Sequence, residues 1–187
     1  MKRLVIITVG KTHSGKTTFA RALEKELTNS VVIDQDNHAE FINTYYKNLQ
    51  PEQGPNTLKH ALSKLIVDYT KENTDSHMII CNSNRGLKGR EYLLEELFNK
   101  DEFVRILVHF DISEDELKTR VNQSNRDINI FRGDYSDFNE VLEHQRKEAF
   151  KEDVKDPEEH EADYLFVVHN NEEVETVIKK IDHLRKG

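Results

Sequence analysis

Leu4-Val5-Ile6-Ile7-Thr8-Val9-Gly10-Lys11-Thr12-His13-Ser14-Gly15-Lys16-Thr17-Thr18 is the stretch that decides how this chain folds. Its first six residues are apolar or β-branched over the length of one strand. Gly10 to Thr17 fits the phosphate-binding template G-x-x-x-x-G-K-[ST] at every fixed position. Ala20, Leu23 and Leu27 then recur at i, i+3 and i+7, which is one face of a helix. Glycine is needed where the backbone turns tightly and offers its N–H groups to phosphate oxygens. Chance produces the template at about one position in 30,000, so the match in this context predicts a nucleotide site. Gly10, Lys11, Thr12, His13, Ser14, Gly15, Lys16, Thr17 and Thr18 are its candidate binding residues. Lys16 is expected to reach the β- and γ-phosphates, and Thr17 to offer its hydroxyl to Mg²⁺. The helix beginning there points the positive end of its dipole at the same anion.

The remaining composition narrows the setting. With 187 residues, few glycines and prolines, and no linker or repeat, one domain over residues 1–187 is expected. Apolar runs are strand-sized, far short of the roughly 20 residues that cross a bilayer. The N-terminus runs straight into the first strand, so a soluble cytoplasmic protein is expected. Cys81 is the only cysteine, which excludes an internal disulfide and a thiolate zinc cluster. A net charge of −8 argues against a broad footprint on duplex nucleic acid. Oligomeric state is not legible in the sequence.

After the first helix, Ser30-Val31-Val32-Ile33-Asp34 reads as a second strand ending in Asp34-Gln35-Asp36. If strand geometry persists to Asp36, both carboxylates point the same way, toward the phosphate loop. The C-terminal edge of a parallel sheet is where ligands bind in such folds. The other reading of Asp36 is that it caps the next helix.

A phosphate loop followed after one helix by Asp34-x-Asp36 resembles the small P-loop kinases: shikimate, gluconate, adenylylsulfate and polynucleotide 5′-kinases, and zeta-type toxins. The resemblance implies that Asp34 orients Mg²⁺ or its waters and that Asp36 contacts the acceptor hydroxyl as a base. It implies ATP as the donor and an α/β fold: a P-loop NTPase three-layer sandwich with a five-stranded parallel sheet, order 2-3-1-4-5, helices on both faces and a lid. It also implies lid arginines at the end of the helix that follows the fourth strand. Arg120 and Arg126 stand there, with Arg132 following, all within a lid at roughly 120–135. Grouped arginines on such a segment stabilise phosphate charge once water is excluded. The alternative is a solvated, salt-bridged helix end. At the end of the third strand, His77 to Cys81, the chain departs from these families, with Asn82 where many have an aspartate.

Along the rest of the chain, Leu58, Leu62, Leu65, Ile66 and Tyr69 follow helical spacing and are expected in the core. Arg85 and Arg90, just past the third strand, are candidates for holding an anionic acceptor, or else surface residues. Asn99-Lys100-Asp101-Glu102 approaches a guanine-selecting motif but precedes a strand instead of following one, so it is read as a decoy. Val104 to Phe110 and Tyr164 to Val168 are the fourth and fifth strands, and the acidic run Lys151 to Asp163 reads as a solvated connector. Alternating strands and helices favour a parallel sheet with right-handed crossovers. The expected function is ATP-dependent transfer of the γ-phosphoryl group to a hydroxyl of a small metabolite, nucleoside or nucleotide end. The other class left open is a nucleotide-binding or hydrolysing switch without an acceptor. The two part at Asp36, which only the first requires.

Overall fold

The computed structural model describes residues 2–186. Five strands, β1 (Arg3–Gly10), β2 (Ser30–Asp34), β3 (His77–Cys81), β4 (Phe103–Phe110) and β5 (Tyr164–Val168), form one parallel sheet in the order β2-β3-β1-β4-β5. This is the order implied by the resemblance. Each strand is followed by helix: α1 (Lys16–Glu26), α2 (Gln35–Tyr45) with α3 (Thr57–Asn73), α4 (Leu87–Glu91, continued by a wider π turn Tyr92–Leu97), α5 (Glu114–Asn122) with α6 (Phe138–Glu148), and α7 (Glu172–Leu184).

β1 lies at the centre and is buried on both faces, as its uninterrupted apolar run requires. Leu4 and Ile6 face a core shared with Phe19 and Leu23 of α1, Leu117 of α5, Leu142 of α6 and Ile178 of α7. Val5, Ile7 and Val9 face a second core with Val67 of α3 and Leu94, Leu97 and Phe98 of the α4 stretch. Helices thus cover both faces. The register sets Asp34 level with Cys81 and Gly10 level with Phe110, which gathers the C-terminal ends of the strands at one edge.

α3 is rotated from the expected stripe. Leu65 and Tyr69 are 64% and 63% exposed, and the buried positions are Ser63, Val67 and Thr70. The two hydroxyls can be buried because each donates to the carbonyl one turn back, Ser63 to Lys59 at 2.9 Å and Thr70 to Ile66 at 2.8 Å. Asn99 does sit in a turn, its side-chain oxygen accepting from the backbone of Asp101 and Glu102, which agrees with its reading as a decoy.

The run from Lys151 to Asp163 is more than a solvated connector. Glu161 forms a two-bond pair with Arg90, at 2.7 and 2.9 Å, and Arg90 also donates to the carbonyls of Arg85 and Lys155. Asp163 accepts from Arg105, and Asp153 accepts from the backbone of Lys88 at the start of α4. Arg90 is therefore completely buried and fully partnered, neither a surface residue nor free to take an anion. Arg85 likewise spends a donor on the Gln145 carbonyl, tying the end of β3 to α6.

Candidate active site

Beyond β1 the chain makes the tight loop that the glycines permit. A Cβ on Gly10 would lie 2.9 Å from Ser14 Oγ and 3.1 Å from the Phe110 carbonyl, so only glycine fits beside β4. Gly15 adopts φ 102°, a left-handed conformation, and starts α1 with no side-chain cap. The first N–H groups of α1 therefore remain available to an anion.

The loop opens on a cavity of about 900 Å³. Residues 12–18, Asp34, Asp36, Arg120, Arg126 and Arg132 all line it, so most of the expected site residues are brought together. Gly10 does not line the cavity, and its N–H donates to the Ser83 carbonyl at 2.9 Å. Lys11 turns away and pairs with Glu114, which also holds Arg146 at 3.2 Å. The Lys16 ammonium lies over the loop, donating to the Lys11 carbonyl and to Ser14 Oγ at 3.1 Å. Burial lowers its pKa to about 8, against the raising effect of the surrounding acids. His13, at φ 58°, packs edge-on against Phe138 with ring centroids 4.7 Å apart. Burial, then the charges of Arg126, Lys16 and Arg120, lower its pKa to about 4, so its ring is neutral near pH 7.

Asp34 and Asp36 do not share a strand face. β2 stops at Asp34, and α2 begins at Gln35, because Asp34 is a good N-cap: its Oδ1 accepts from the Asp36 N–H at 2.9 Å. Its other oxygen, Oδ2, accepts from the Thr17 hydroxyl at 3.3 Å. Asp36 sits instead in the first turn of α2, where the Arg126 guanidinium donates to its Oδ2 at 2.6 Å. The two carboxylates reach one cavity by different routes. Cys81 is 3.6 Å from Thr17 Oγ1, and burial together with the Asp34 charge pushes its thiol to about 12. Asn82 donates to Gln35 at 2.9 Å and brings no charge to this corner.

The last turn of α5 and the segment between α5 and α6 line one side of the cavity through Arg120, Ser124, Arg126, Phe131 and Arg132. Arg120 donates to the His13 carbonyl at 3.4 Å and to Asn171 at 3.1 Å. Arg126 also lies over the Phe138 ring, 5.3 Å from its centroid. Asn43 donates to the Phe131 carbonyl, and Arg132 to the carbonyls of Pro51 and Gly54. These bonds fasten the segment to α2 and to the loop beyond it.

Three polar residues stand out among those that sequence reading missed. Lys59 and His60, on the first turns of α3, line the cavity, as does Gln145 of α6, whose side-chain oxygen accepts from the Thr12 N–H at 2.7 Å. None stands in a motif, and Lys59 and His60 lie in an amphipathic helix whose polar positions look alike before it is packed. His38, by contrast, bonds Ser63 at 2.7 Å and packs between α2 and α3.

Oxygen donors are what a hard cation requires, and the paired Thr17 hydroxyl and Asp34 carboxylate fit Mg²⁺ when phosphates and water complete the shell. Among the described residues there is no His, Cys, Asp and Glu cluster fit to hold a metal by itself. No described helix is long and apolar enough to cross a membrane.

No curated protein matches the chain in sequence. Solved structures similar to it include a shikimate kinase from Bacteroides thetaiotaomicron, at 16% identity and TM-score 0.58, with 98% of this chain and 99% of that one covered. The Mycobacterium tuberculosis APS kinase in complex with AMPPNP and APS gives 11% identity and TM-score 0.61, with 100% and 99% covered. Chaetomium thermophilum Kti12 in complex with ADP-AlF3 gives 16% and 0.60, with 95% and 96% covered. A family model described as an AAA domain matches residues 5–150. The chain belongs to that AAA-domain family and has the fold of the P-loop kinases.

Proposed function

We propose that the protein is an ATP-dependent phosphotransferase that moves the γ-phosphoryl group to a hydroxyl of a small metabolite, nucleoside or nucleotide end. The observation that carries this reading is that Asp36, a carboxylate outside the phosphate loop, enters the same cavity as Lys16. A site that only bound or hydrolysed nucleotide would not need it. The loop amides and Lys16 would hold the phosphates, and Thr17 and Asp34 would hold Mg²⁺, which when bound neutralises charge on the β- and γ-phosphates. Asp36 aligns the acceptor hydroxyl and takes its proton as the oxygen attacks the γ-phosphorus. The bond from that phosphorus to the β–γ bridging oxygen breaks, leaving ADP. Arg120 and Arg126 close over the transferring group and stabilise its charge.

Labelled-phosphate transfer from ATP to sugars, nucleosides, oligonucleotide 5′ ends and small hydroxy acids tests the reading directly. With a competent acceptor, Asp36→Asn is expected to lower transfer by about 10²–10⁴-fold while ATP affinity stays nearly constant. An unchanged rate would remove Asp36 from the chemistry. Tight ATP binding with transfer to no acceptor would favour a nucleotide-dependent switch.

A further inference from the structure

Phe138, Val141 and Leu142 set an apolar stripe along α6 at i, i+3 and i+4, and position 145 continues it at i+7. A glutamine stands there instead. Its side chain lines the cavity, and its Oε1 accepts from the Thr12 N–H at 2.7 Å. A backbone N–H can only donate, so this bond decides how the carboxamide is turned, with its oxygen on the loop and Nε2 away from it. Nε2 carries two N–H donors, meets no acceptor among the described residues and is not sealed from solvent. The backbone here is pinned from both sides. Arg85, past the end of β3, donates to the Gln145 carbonyl at 2.9 Å, and the neighbouring Arg146 meets Glu114, which also pairs with Lys11 of the loop. Two turns earlier Phe138 packs on the His13 ring, so α6 grips two consecutive loop residues, Thr12 and His13. Lys16 reaches back to the residues on either side of them, the Lys11 carbonyl and Ser14 Oγ. In this template the lysine serves the β- and γ-phosphates.

We infer that Gln145 is a further nucleotide-binding residue, contributed by α6: Thr12 fixes its carboxamide, and Nε2 donates to an oxygen of the γ-phosphate. This rests on reading the loop as an ATP site and not on transfer to an acceptor. With Oε1 already accepting, the N–H groups at the other end of the amide are polarised toward an anion. The side chain is also ordered before nucleotide arrives, so binding does not have to immobilise it. ADP lacks the γ-phosphate, and Gln145 therefore favours ATP over ADP.

Three substitutions separate the two ends of the carboxamide. Gln145→Glu keeps an acceptor for Thr12 and loses the donors, Gln145→Lys keeps a donor and loses the acceptor, and Gln145→Met loses both. Affinities for AMPPNP and ADP, each with Mg²⁺, are measured by calorimetry on the full chain, and the readout is the ratio Kd(ADP)/Kd(AMPPNP). That ratio is expected to fall by about 10- to 100-fold in Gln145→Met, and at least as far in Gln145→Glu. ADP affinity of Gln145→Met should stay within about threefold of wild type, and Gln145→Lys should keep the wild-type ratio to within about threefold or raise it. A residue that only braced the loop would give the opposite order, because the loop holds both nucleotides. Gln145→Glu would then match wild type, while Gln145→Met and Gln145→Lys would weaken ADP and AMPPNP alike. That result, or three variants that all match wild type, would overturn the assignment. Wild-type protein that binds neither nucleotide would overturn it together with the ATP reading. The expected ratios without transfer to any acceptor would uphold Gln145 and count against the phosphotransferase reading.

Discussion

The Arg126 guanidinium meets the Asp36 carboxylate at 2.6 Å, joining the segment after α5 to the first turn of α2. Both side chains are still about one-third exposed, so the pair is screened and adds little to stability. Its importance is positional: the lid arginine and the candidate base are within reach of each other before any substrate enters.

Arg126→Ala should separate the two roles. Loss of the cation proposed to stabilise the transferring phosphoryl is expected to lower kcat by about 10²–10³-fold. Arg126→Lys keeps the charge but not the planar fork, so intermediate kcat is expected. Steady-state kinetics at saturating ATP measures this, and equal kcat in wild type and Arg126→Ala would take Arg126 out of the site.

The lowered pKa of Lys16 predicts a pH dependence. With its pKa near 8 in the nucleotide-free protein, Lys16 is protonated below pH 8 and loses its charge above it. A bound triphosphate favours the charged form and raises that pKa. Nucleotide affinity should therefore be flat below about pH 8 and fall by up to roughly tenfold per pH unit above it. Calorimetry in buffers of different ionisation enthalpy should show proton uptake on binding above pH 8.

Asp34→Asn isolates the magnesium role proposed for Asp34, because asparagine caps a helix as well as aspartate and keeps α2 in place. The Mg²⁺ concentration giving half-maximal transfer is expected to rise at least 10-fold. Thr17→Val should act in the same direction. A magnesium titration with unchanged midpoints would disprove the assignment.

Arg90 and Glu161 predict a stability effect far from the chemistry. Arg90→Met leaves Glu161 without its partner in a nearly closed site, at a cost of about 3–5 kcal/mol. Calorimetry should show Tm lowered on the order of 10 °C. Replacing both, as Arg90→Met with Glu161→Leu, should recover much of the loss.

Strand positions were legible because each is a short apolar run ended by a turn signal, and the phosphate loop because its glycines and lysine have few alternatives. Asp34 and Asp36 were legible as a pair, but their geometry was not: the cap considered for Asp36 falls on Asp34, whose Oδ1 takes the Asp36 N–H while its Oδ2 takes the Thr17 hydroxyl. Arg90 and Lys59 were misread or missed for a related reason. A cation's role depends on what packs around it, and Glu161 lies 71 residues from Arg90, while Lys59 is brought to the cavity that Asp34 and Asp36 also line only when α3 packs.

Gln145 brings one more consequence. It takes the Thr12 N–H from a helix whose preceding segment carries Arg126 and Arg132. That donor can serve an incoming phosphate only if Gln145 shares or yields it. Nucleotide loading and the seating of α6 are then linked variables, and whatever displaces α6 also resets how many donors the loop can offer.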